Sequence, residues 1–273
     1  MTMKMKILTK LTLTFAGVAI VRKAFDTSIQ IRKYQMKSNK VNNNVRVMFL
    51  SDLHNNQFGD NQSILIEQIS EQKPDIVLLG GDFYDYVGNV HPTTKLLDWL
   101  GQHYPTFYVT GNHELRMKHL AGFKRLIREM NIQVLEGDRA KVEVGQTTLV
   151  INGVDDAKHK RTFKKQLKHL GKKLDTEYFN VLISHRPEQV EQYEKYPFDL
   201  ILAGHAHGGQ FRLPGLINGL YSPQQGFFPA YAGGEYELEN EATMIVSRGL
   251  MIQNQQFPRI FNPPEIVIVD LHK

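Results

Sequence analysis

The feature that most constrains the fold of this chain is a series of short apolar segments, each of which stops at a cluster of polar residues. They lie at residues 45–50, 76–79, 106–109, 148–151, 181–183, 200–202, 243–246 and 266–269. Val, Ile and Leu dominate them, as is typical of strands buried inside a sheet. Segments of helical periodicity lie between several of them, at 63–72, 95–102 and 119–130. Alternating strands and helices predict an α/β fold.

Polar side chains that bind metals follow five of these segments directly. In chain order they are Asp52 and His54, Asp82 and Asp85, Asn112 with His113 and Glu114, His185, and His205 with His207. The carboxyl ends of strands in open α/β sheets line the ligand-binding crevice, so these residues are expected to converge. Each Asp-x-His or His-x-His spacing also places two side chains on the same side of an extended segment.

The chain contains no Cys, which excludes disulfides, thiolate zinc sites, cysteine nucleophiles and iron–sulfur clusters. Any metal must therefore be held by nitrogen and oxygen ligands, which suit Zn, Mn, Fe or Ni. The candidate ligands are Asp52, His54, Asp82, Asn112, His185, His205 and His207. This set exceeds what one ion needs, and a shared Asp82 would give each of two divalent ions four protein ligands.

The ordered blocks D-x-H, G-D-x-x-D, G-N-H-E, H and G-H-x-H resemble the calcineurin-like metallophosphoesterase superfamily, from about residue 45 to the C-terminus. The runs G-H-A-H-G-G-Q-F-R-L-P, S-R-G-L and N-P-P-E-I are similar to a bacterial membrane-associated branch, the YkuE- and YaeI-like phosphodiesterases. The resemblance implies a four-layer α/β/β/α sandwich of two mixed sheets flanked by helices.

The resemblance also implies a role for each matching residue. Asp52, His54 and His207 would bind one ion, Asn112, His185 and His205 the other, and Asp82 would bridge them. A metal-bridging hydroxide would attack the phosphorus of a phosphodiester or pyrophosphate. His113 would protonate the leaving oxygen, with Glu114 orienting it. Asp85 is interpreted as structural.

The net charge of +5 is a sum of unlike parts. Residues 1–40 hold nine Lys and Arg against one Asp, and residues 158–173 hold eight basic residues and no acid, so the remainder has a net charge of −11. An acidic body argues against a nucleic-acid groove. The alternatives left open are a soluble-type phosphatase or nuclease of the same superfamily, and a non-catalytic phosphate-binding module.

The N-terminal region has its own pattern. An apolar run at residues 11–21 is flanked by lysines and arginines, which we interpret as a membrane anchor, with a helix packed on the domain as the alternative. The predicted division is therefore residues 1–40, an anchor region with a lead-in strand, and residues 41–273, the catalytic domain. The expected protein is membrane-associated, on either side of the membrane, and acts on a membrane- or envelope-related phosphate compound.

The second basic segment predicts an amphipathic helix. Phe163, Leu167, Leu170 and Leu174 recur at steps of four, three and four residues, and the opposite face is Lys, Arg and His. Either a solvated surface helix or a contact with an anionic membrane surface fits this pattern. The sequence specifies no oligomeric state.

Overall fold

The computed structural model describes residues 17–86, 88–252 and 258–273. Its strands are β1 (Gln30–Lys37), β2 (Val45–Leu50), β3 (Ile76–Leu79), β4 (Thr106–Tyr108), β5 (Gln133–Val134), β6 (Asp138–Val144), β7 (Thr147–Gly153), β8 (Phe179–Ile183), β9 (Leu200–Ala203), β10 (Tyr221–Ser222), β11 (Gly226–Phe227), β12 (Gly234–Glu237), β13 (Thr243–Val246) and β14 (Glu265–His272). Its helices are α1 (residues 17–24), α2 (Ser63–Gln72), α3 (His91–His103), α4 (Leu120–Glu129), α5 (Lys160–Gly171) and α6 (Val190–Tyr193).

The first sheet has the strand order β1-β14-β2-β3-β4-β5. β2 to β5 run parallel, and β14 is antiparallel to β2. β3 is buried along its whole length, which is why its sequence is uniformly apolar. β1 lies at the edge, parallel to β14, and mixes polar with apolar residues because an edge strand is only half covered.

The second sheet has the order β12-β13-β9-β8-β7-β6. Its four central strands, β13, β9, β8 and β7, run parallel, and each edge strand is antiparallel to its neighbour. Parallel strands place their carboxyl ends at one edge. The carboxyl ends of β8 and β9 therefore meet at one edge of this sheet, as those of β2, β3 and β4 do in the first.

Three apolar layers hold the molecule together. The central layer lies between the two sheets, where alternate residues of facing strands interdigitate, among them Phe49, Leu78, Val181 and Leu202. On the outer face of the first sheet, Leu65, Leu96 and Ile127 of α2, α3 and α4 pack against the strands. Phe163 and Tyr193 of α5 and α6 cover the second sheet. The prediction of a four-layer α/β/β/α sandwich is confirmed.

Most of the observed helix ends lie within one turn of the ends that the sequence pattern predicts. The predicted segments 95–102 and 119–130 correspond to α3 and α4. In α5, Phe163, Leu167 and Leu170 are buried as predicted. Leu174, however, lies beyond the end of α5 at Gly171, so the amphipathic face is one turn shorter than its spacing suggested. Leu174 still packs on the same apolar layer, from the following loop.

The prediction that the chain is membrane-associated through its N-terminal segment is wrong. Within residues 17–86, 88–252 and 258–273, no helix has the length and apolar character needed to cross a bilayer. The first part of the apolar run, residues 11–16, lies outside the described residues. The division at residue 40 stays a prediction. The strand of that first segment, β1, pairs with β14 along all of its residues.

A buried ion pair connects the two halves of the sandwich. Lys124 on α4 is 6% exposed, and its Nζ lies 2.7 Å from Oδ1 of Asp155, which follows β7, and 2.7 Å from Oε2 of Glu136. Asp155 also accepts hydrogen bonds from Thr110 and Gln166. The ammonium group therefore compensates a carboxylate that has little access to water.

Replacing Lys124 by Met is expected to destabilise the fold by about 3 kcal/mol, because it leaves the buried Asp155 carboxylate without its cation. Urea unfolding followed by circular dichroism measures this. The matched control is Arg125→Met, since Arg125 is the next residue of α4 and is exposed. Equal midpoints for the two variants would show that the ion pair contributes no net stability.

Candidate metal centre

Loops at the carboxyl ends of both sheets meet at one place, and hydrogen bonds between the loops fix their positions. The backbone N–H of Asp52 donates to the carbonyl of Gly81 at 3.0 Å, and that of His54 to Asp82 at 3.0 Å. Across the two sheets, the N–H of His205 lies 3.1 Å from both carboxylate oxygens of Asp52. Residues from β2, β3 and β9 thus form one assembly.

Five of the predicted ligands have backbone conformations that L-residues rarely adopt. The φ angles are 54° at Asp52, 48° at His54, 55° at Asp82, 64° at His205 and 48° at His207. Each of these conformations costs free energy and persists only where the surrounding structure imposes it, and they concentrate at functional sites. Here they turn each chain segment sharply as it leaves its strand, which aims the side chains inwards.

Glycines permit the close approach that this arrangement needs. A Cβ on Gly111 would lie 2.2 Å from Oδ1 of Asp82, and one on Gly204 would lie 2.3 Å from Oδ2 of Asp52. Neither position therefore accepts a side chain without displacing a carboxylate. The glycines before Asn112 and His205 are required by packing against the site.

Asp52, His54 and His207 form the first group of potential ligands. Their ligand atoms all lie within 4.8 Å of one another. Oδ1 of Asp52 is 3.9 Å from Nε2 of His54 and 3.7 Å from Nε2 of His207. In the part of the chain that the structure describes, Nε2 of His54 and Nδ1 of His207 are buried without a hydrogen-bond partner. Such unsatisfied atoms are costly unless a ligand satisfies them.

Asp82, His185 and His205 form the second group. Nε2 of His185 lies 3.2 Å from Oδ2 of Asp82 and 3.1 Å from Nδ1 of His205. The other nitrogen of His185 is 2.8 Å from the carbonyl of Gly80, and Nε2 of His205 contacts Oε1 of Gln224. Both outer nitrogens face acceptors, so in the neutral rings the two inner nitrogens carry lone pairs. Two lone pairs that face each other suit a shared cation.

Asp82 belongs to the second group but also faces the first. Its Oδ2 is 3.2 Å from His185 and 3.8 Å from Nε2 of His54, and its Oδ1 accepts a hydrogen bond from the N–H of His113 at 2.8 Å. Asn112, at the end of β4, is 5% exposed, and among the described residues its Oδ1 has no hydrogen-bond partner. The predicted ligands from all five strand ends are therefore buried here.

Burial and charge change the proton affinities of these groups. Burial raises the pKa of Asp52, with a contribution from the neighbouring Asp82 charge. Burial opposes ionisation of Asp82 as well, but the His185 charge outweighs it and lowers the pKa of Asp82. Burial, followed by repulsion from neighbouring histidines, lowers the pKa of His205 and of His207. These two rings are therefore neutral, the form of imidazole that binds a metal. Burial opposes protonation of His54 and His185 as well, but the nearby carboxylates outweigh it and raise the pKa of both.

The carboxylate that contacts His113 is Asp85, not Glu114 as the sequence suggested. Oδ1 of Asp85 is 3.1 Å from Nδ1 of His113, and its Oδ2 is 3.2 Å from Nδ1 of His54. Burial opposes ionisation, but hydrogen bonding from His54 and the charge of His113 lower the pKa of Asp85 to about 2. Asp85 thus orients one predicted ligand and the predicted proton donor together.

Glu114 is fully buried and supports the backbone of the site. Its carboxylate accepts hydrogen bonds from the N–H groups of Asp82 at 2.9 Å, Phe83 at 2.9 Å and Gly111 at 2.8 Å, and from the hydroxyl of Tyr108 at 2.8 Å. Burial raises the pKa of Glu114 to about 7. The side chain holds the β3 and β4 loops in register and makes no hydrogen bond to the His113 ring.

Two further residues support the ligands without having been predicted. Gln224 contacts Nε2 of His205 from the turn between β10 and β11. Asn262 donates to the carbonyl of His207 at 2.8 Å and to that of Gln210 at 3.1 Å. Neither belongs to a strand-end cluster, so no spacing pattern points to them. Asn262 lies within the N-P-P-E-I run, which was the only available signal.

The donor set fits divalent metal ions. It consists of carboxylate, amide and imidazole groups, several of which are buried with atoms that lack other partners. Nitrogen and oxygen ligands of this kind suit divalent transition metals, and clusters of them at strand ends are typical of metal-dependent hydrolases. The fold and the site together define a metal-dependent phosphoesterase.

The sequence profile of the calcineurin-like phosphoesterase family matches residues 45–209. The chain therefore belongs to this family, as its motifs suggested, and hydrolyses phosphoesters with divalent metal ions. An uncharacterized metallophosphoesterase of Aquifex aeolicus is 29% identical over 259 residues, which cover 89% of this chain and 92% of that protein. Phosphodiesterase YaeI of Escherichia coli is 29% identical over 192 residues, which cover 65% of this chain and 66% of YaeI.

Solved structures also resemble this chain. The NAD nucleotidase NadN of Haemophilus influenzae aligns with a TM-score of 0.49 and 15% identity over 76% of this chain, but the chain spans only 45% of that protein. The protein TT1561 of Thermus thermophilus aligns with a TM-score of 0.48 and 13% identity over 76% of this chain and 90% of its own.

Proposed function

We propose that the protein is a dinuclear-metal phosphodiesterase or pyrophosphatase. Asp52, His54 and His207 would hold one ion, and Asn112, His185 and His205 would hold the other, with Asp82 shared between the two sets. The position of Asp82 carries this proposal. One carboxylate oxygen faces a histidine of each group, at 3.8 Å from His54 and 3.2 Å from His185. A single ion would not need ligands on both sides of this carboxylate.

Divalent ions bound there would lower the pKa of a water molecule and neutralise the charge of the phosphate. His113 is positioned to act as the proton donor. Its ring lies next to the site, with Nε2 4.0 Å from Oδ2 of Asp82, and its side chain remains 21% exposed, so a substrate can reach it. Asp85 holds Nδ1 of the ring, which leaves Nε2 to donate a proton to the departing oxygen.

Two observations support a diester or pyrophosphate over a monoester. The relative YaeI carries the name phosphodiesterase. The second observation concerns Arg186, which follows the ligand His185 and pairs with carboxylates of the protein. Its Nε lies 2.7 Å from Asp156, and its Nη1 lies 3.5 Å from Glu188. Two of its nitrogens therefore already lie near carboxylates of the protein, which weakens this arginine as a partner for the additional charge of a terminal phosphate.

The proposal predicts that the metal-loaded protein hydrolyses bis(p-nitrophenyl) phosphate with a kcat/KM about tenfold or more above that for p-nitrophenyl phosphate, which corresponds to about 1.4 kcal/mol in transition-state free energy. Release of p-nitrophenolate measures both reactions with Mn, Fe, Zn or Ni supplied in turn. A preference for the monoester with every metal would favour the phosphatase alternative. No hydrolysis of either would favour the phosphate-binding alternative.

We also propose a contact between the basic helix α5 and an anionic surface. Phe163, Leu167 and Leu170 face the second sheet, and the opposite side is exposed and cationic. The exposed cations are Lys160, Arg161, Lys164, Lys165 and Lys168. An anionic surface, such as that of a lipid bilayer, is the partner that this face fits by charge, and the contact stays a prediction.

A further inference from the structure

A second polar cavity lies outside the metal-ligand set. It has a volume of about 670 Å³ and is bounded by α1, β1, the loop at residues 212–218 and the residues after β13. Four cations, Lys23, Arg32, Arg212 and Arg248, and one acid, Asp26, line it. We refer to this cavity as the basic pocket. It shares no lining residue with the metal ligands, and its volume is within the range of small-molecule sites.

Arg212 is buried in the wall of the basic pocket with only neutral hydrogen-bond partners. It is 8% exposed. Its Nη1 donates to the carbonyl of Gly208 at 3.2 Å, and its Nη2 donates to Oδ1 of Asn218. No carboxylate of the described residues lies within ion-pair distance of it. A buried guanidinium without a counter-ion is costly, and burial together with Arg248 lowers the pKa of Arg212 to about 10.

The other two arginines share a single carboxylate. Oε2 of Glu265 lies 3.3 Å from Nε of Arg248 and 3.6 Å from Nε of Arg32. Glu265 is 1% exposed. Among the described residues, the terminal amino groups of Arg248 make no hydrogen bond, so they remain available as donors.

The charges around the basic pocket do not balance. Lys23, Arg32, Arg212 and Arg248 contribute four positive charges, whereas Asp26 at the rim and Glu265 beneath contribute two negative ones. Asp26 already accepts a hydrogen bond from the N–H of Ser28. The excess of two positive charges matches a dianion, and the guanidinium fork matches phosphate oxygens in geometry.

We propose that the basic pocket binds a phosphate-type dianion, either free phosphate or the phosphate group of a small molecule, at a site separate from the metal centre. The dianion accepts hydrogen bonds from Arg32 and Arg248 and compensates the buried charge of Arg212. Because Arg212 donates to the carbonyl of Gly208, the residue after the ligand His207, the pocket and the metal centre share one segment of backbone.

Isothermal titration calorimetry of the metal-stripped full chain with inorganic phosphate, at fixed ionic strength, tests this. Removing the metal prevents phosphate from binding through it. We expect saturable binding that weakens about tenfold or more when Lys23→Gln and Arg32→Gln are combined, since Arg32 contributes a charge-assisted hydrogen bond and Lys23 contributes a positive charge of the pocket lining. Both side chains are partly or fully exposed, so the fold tolerates the change. Arg248→Gln is the second variant, with circular dichroism to verify folding.

Arg161→Gln is the matched control, because Arg161 is an exposed arginine of α5 that does not line the basic pocket. The affinity of this variant for phosphate should equal that of the wild type.

A second titration with glycerol phosphate distinguishes the two sources of the dianion. Tighter binding than inorganic phosphate identifies a phosphorylated small molecule, and weaker or equal binding identifies free phosphate. Absence of saturable binding, or equal affinity in the wild type and both pocket variants, would overturn the proposal.

Discussion

Replacing Asp82 by Asn is expected to lower kcat/KM for a phosphodiester by about 10²–10³-fold and to reduce the metal content of the purified protein. The amide has the size of the carboxylate and keeps an oxygen for the hydrogen bond from the N–H of His113. It loses the negative charge that faces His54 on one side and His185 on the other. A neutral bridge holds two dications poorly, because their mutual repulsion is no longer offset.

Metal content by inductively coupled plasma mass spectrometry and the thermal unfolding midpoint are measured alongside turnover. Asp98→Asn is the matched control, since Asp98 lies on α3, is exposed and accepts a hydrogen bond from Gln102. The control should keep the activity and metal content of the wild type. Full metal content together with wild-type turnover in the Asp82→Asn protein would contradict the bridging assignment.

Replacing His113 by Gln is expected to lower turnover about 10²–10⁴-fold for a diester with a poor leaving group, with metal content unchanged. The expected loss is much smaller for bis(p-nitrophenyl) phosphate, because p-nitrophenolate departs without help from a proton donor. His113 contacts Asp85 through Nδ1 and has Nε2 near the site, so its removal takes away a proton donor and leaves the proposed ligands in place.

The dependence on the leaving group separates proton donation from a structural effect. A structural role for His113 would lower both reactions equally. Asp85→Asn should show a weaker dependence on the leaving group, because Asp85 contacts Nδ1 of the proposed ligand His54 as well as Nδ1 of His113. His119→Gln serves as the control, since His119 is exposed and belongs to none of the groups of potential ligands. Equal losses for the two substrates would exclude His113 as the proton donor.

The sequence predicted the central strands well because they are buried on both faces. β3 and β9 are continuous apolar runs, and β2 and β8 each contain a single polar residue, Arg46 and Asn180, as is typical of strands buried inside a sheet. The edge strands β6 and β12 were missed because one side of each faces solvent, so that polar residues interrupt the pattern. β1 lies within residues 1–40, where a lead-in strand was predicted without bounds.

The contacts around the candidate ligands could not be predicted either, because they depend on the paths of the loops. Asp85 and Glu114 are both acids close to His113 in the site, and the sequence favoured the adjacent residue. The loop after β3 brings Asp85 to the ring, while Glu114 turns inwards to the backbone of Asp82 and Gly111. Gln224 reaches His205 from a hairpin 19 residues away. Which side chain meets which ring depends on loop paths.

The amino-acid sequence by itself determined that this is an α/β protein, that its metal must be held by nitrogen and oxygen, and which strand ends carry the candidate ligands. Those conclusions follow from local periodicity, from the absence of Cys and from the order of the motifs. Only the tertiary structure decided that Asp82 faces histidines of both groups, that Asp85 contacts His113, and that Arg212 donates hydrogen bonds to the neutral groups of Gly208 and Asn218. These are distances between side chains on different strands and loops, and they exist only once two sheets have packed on one core.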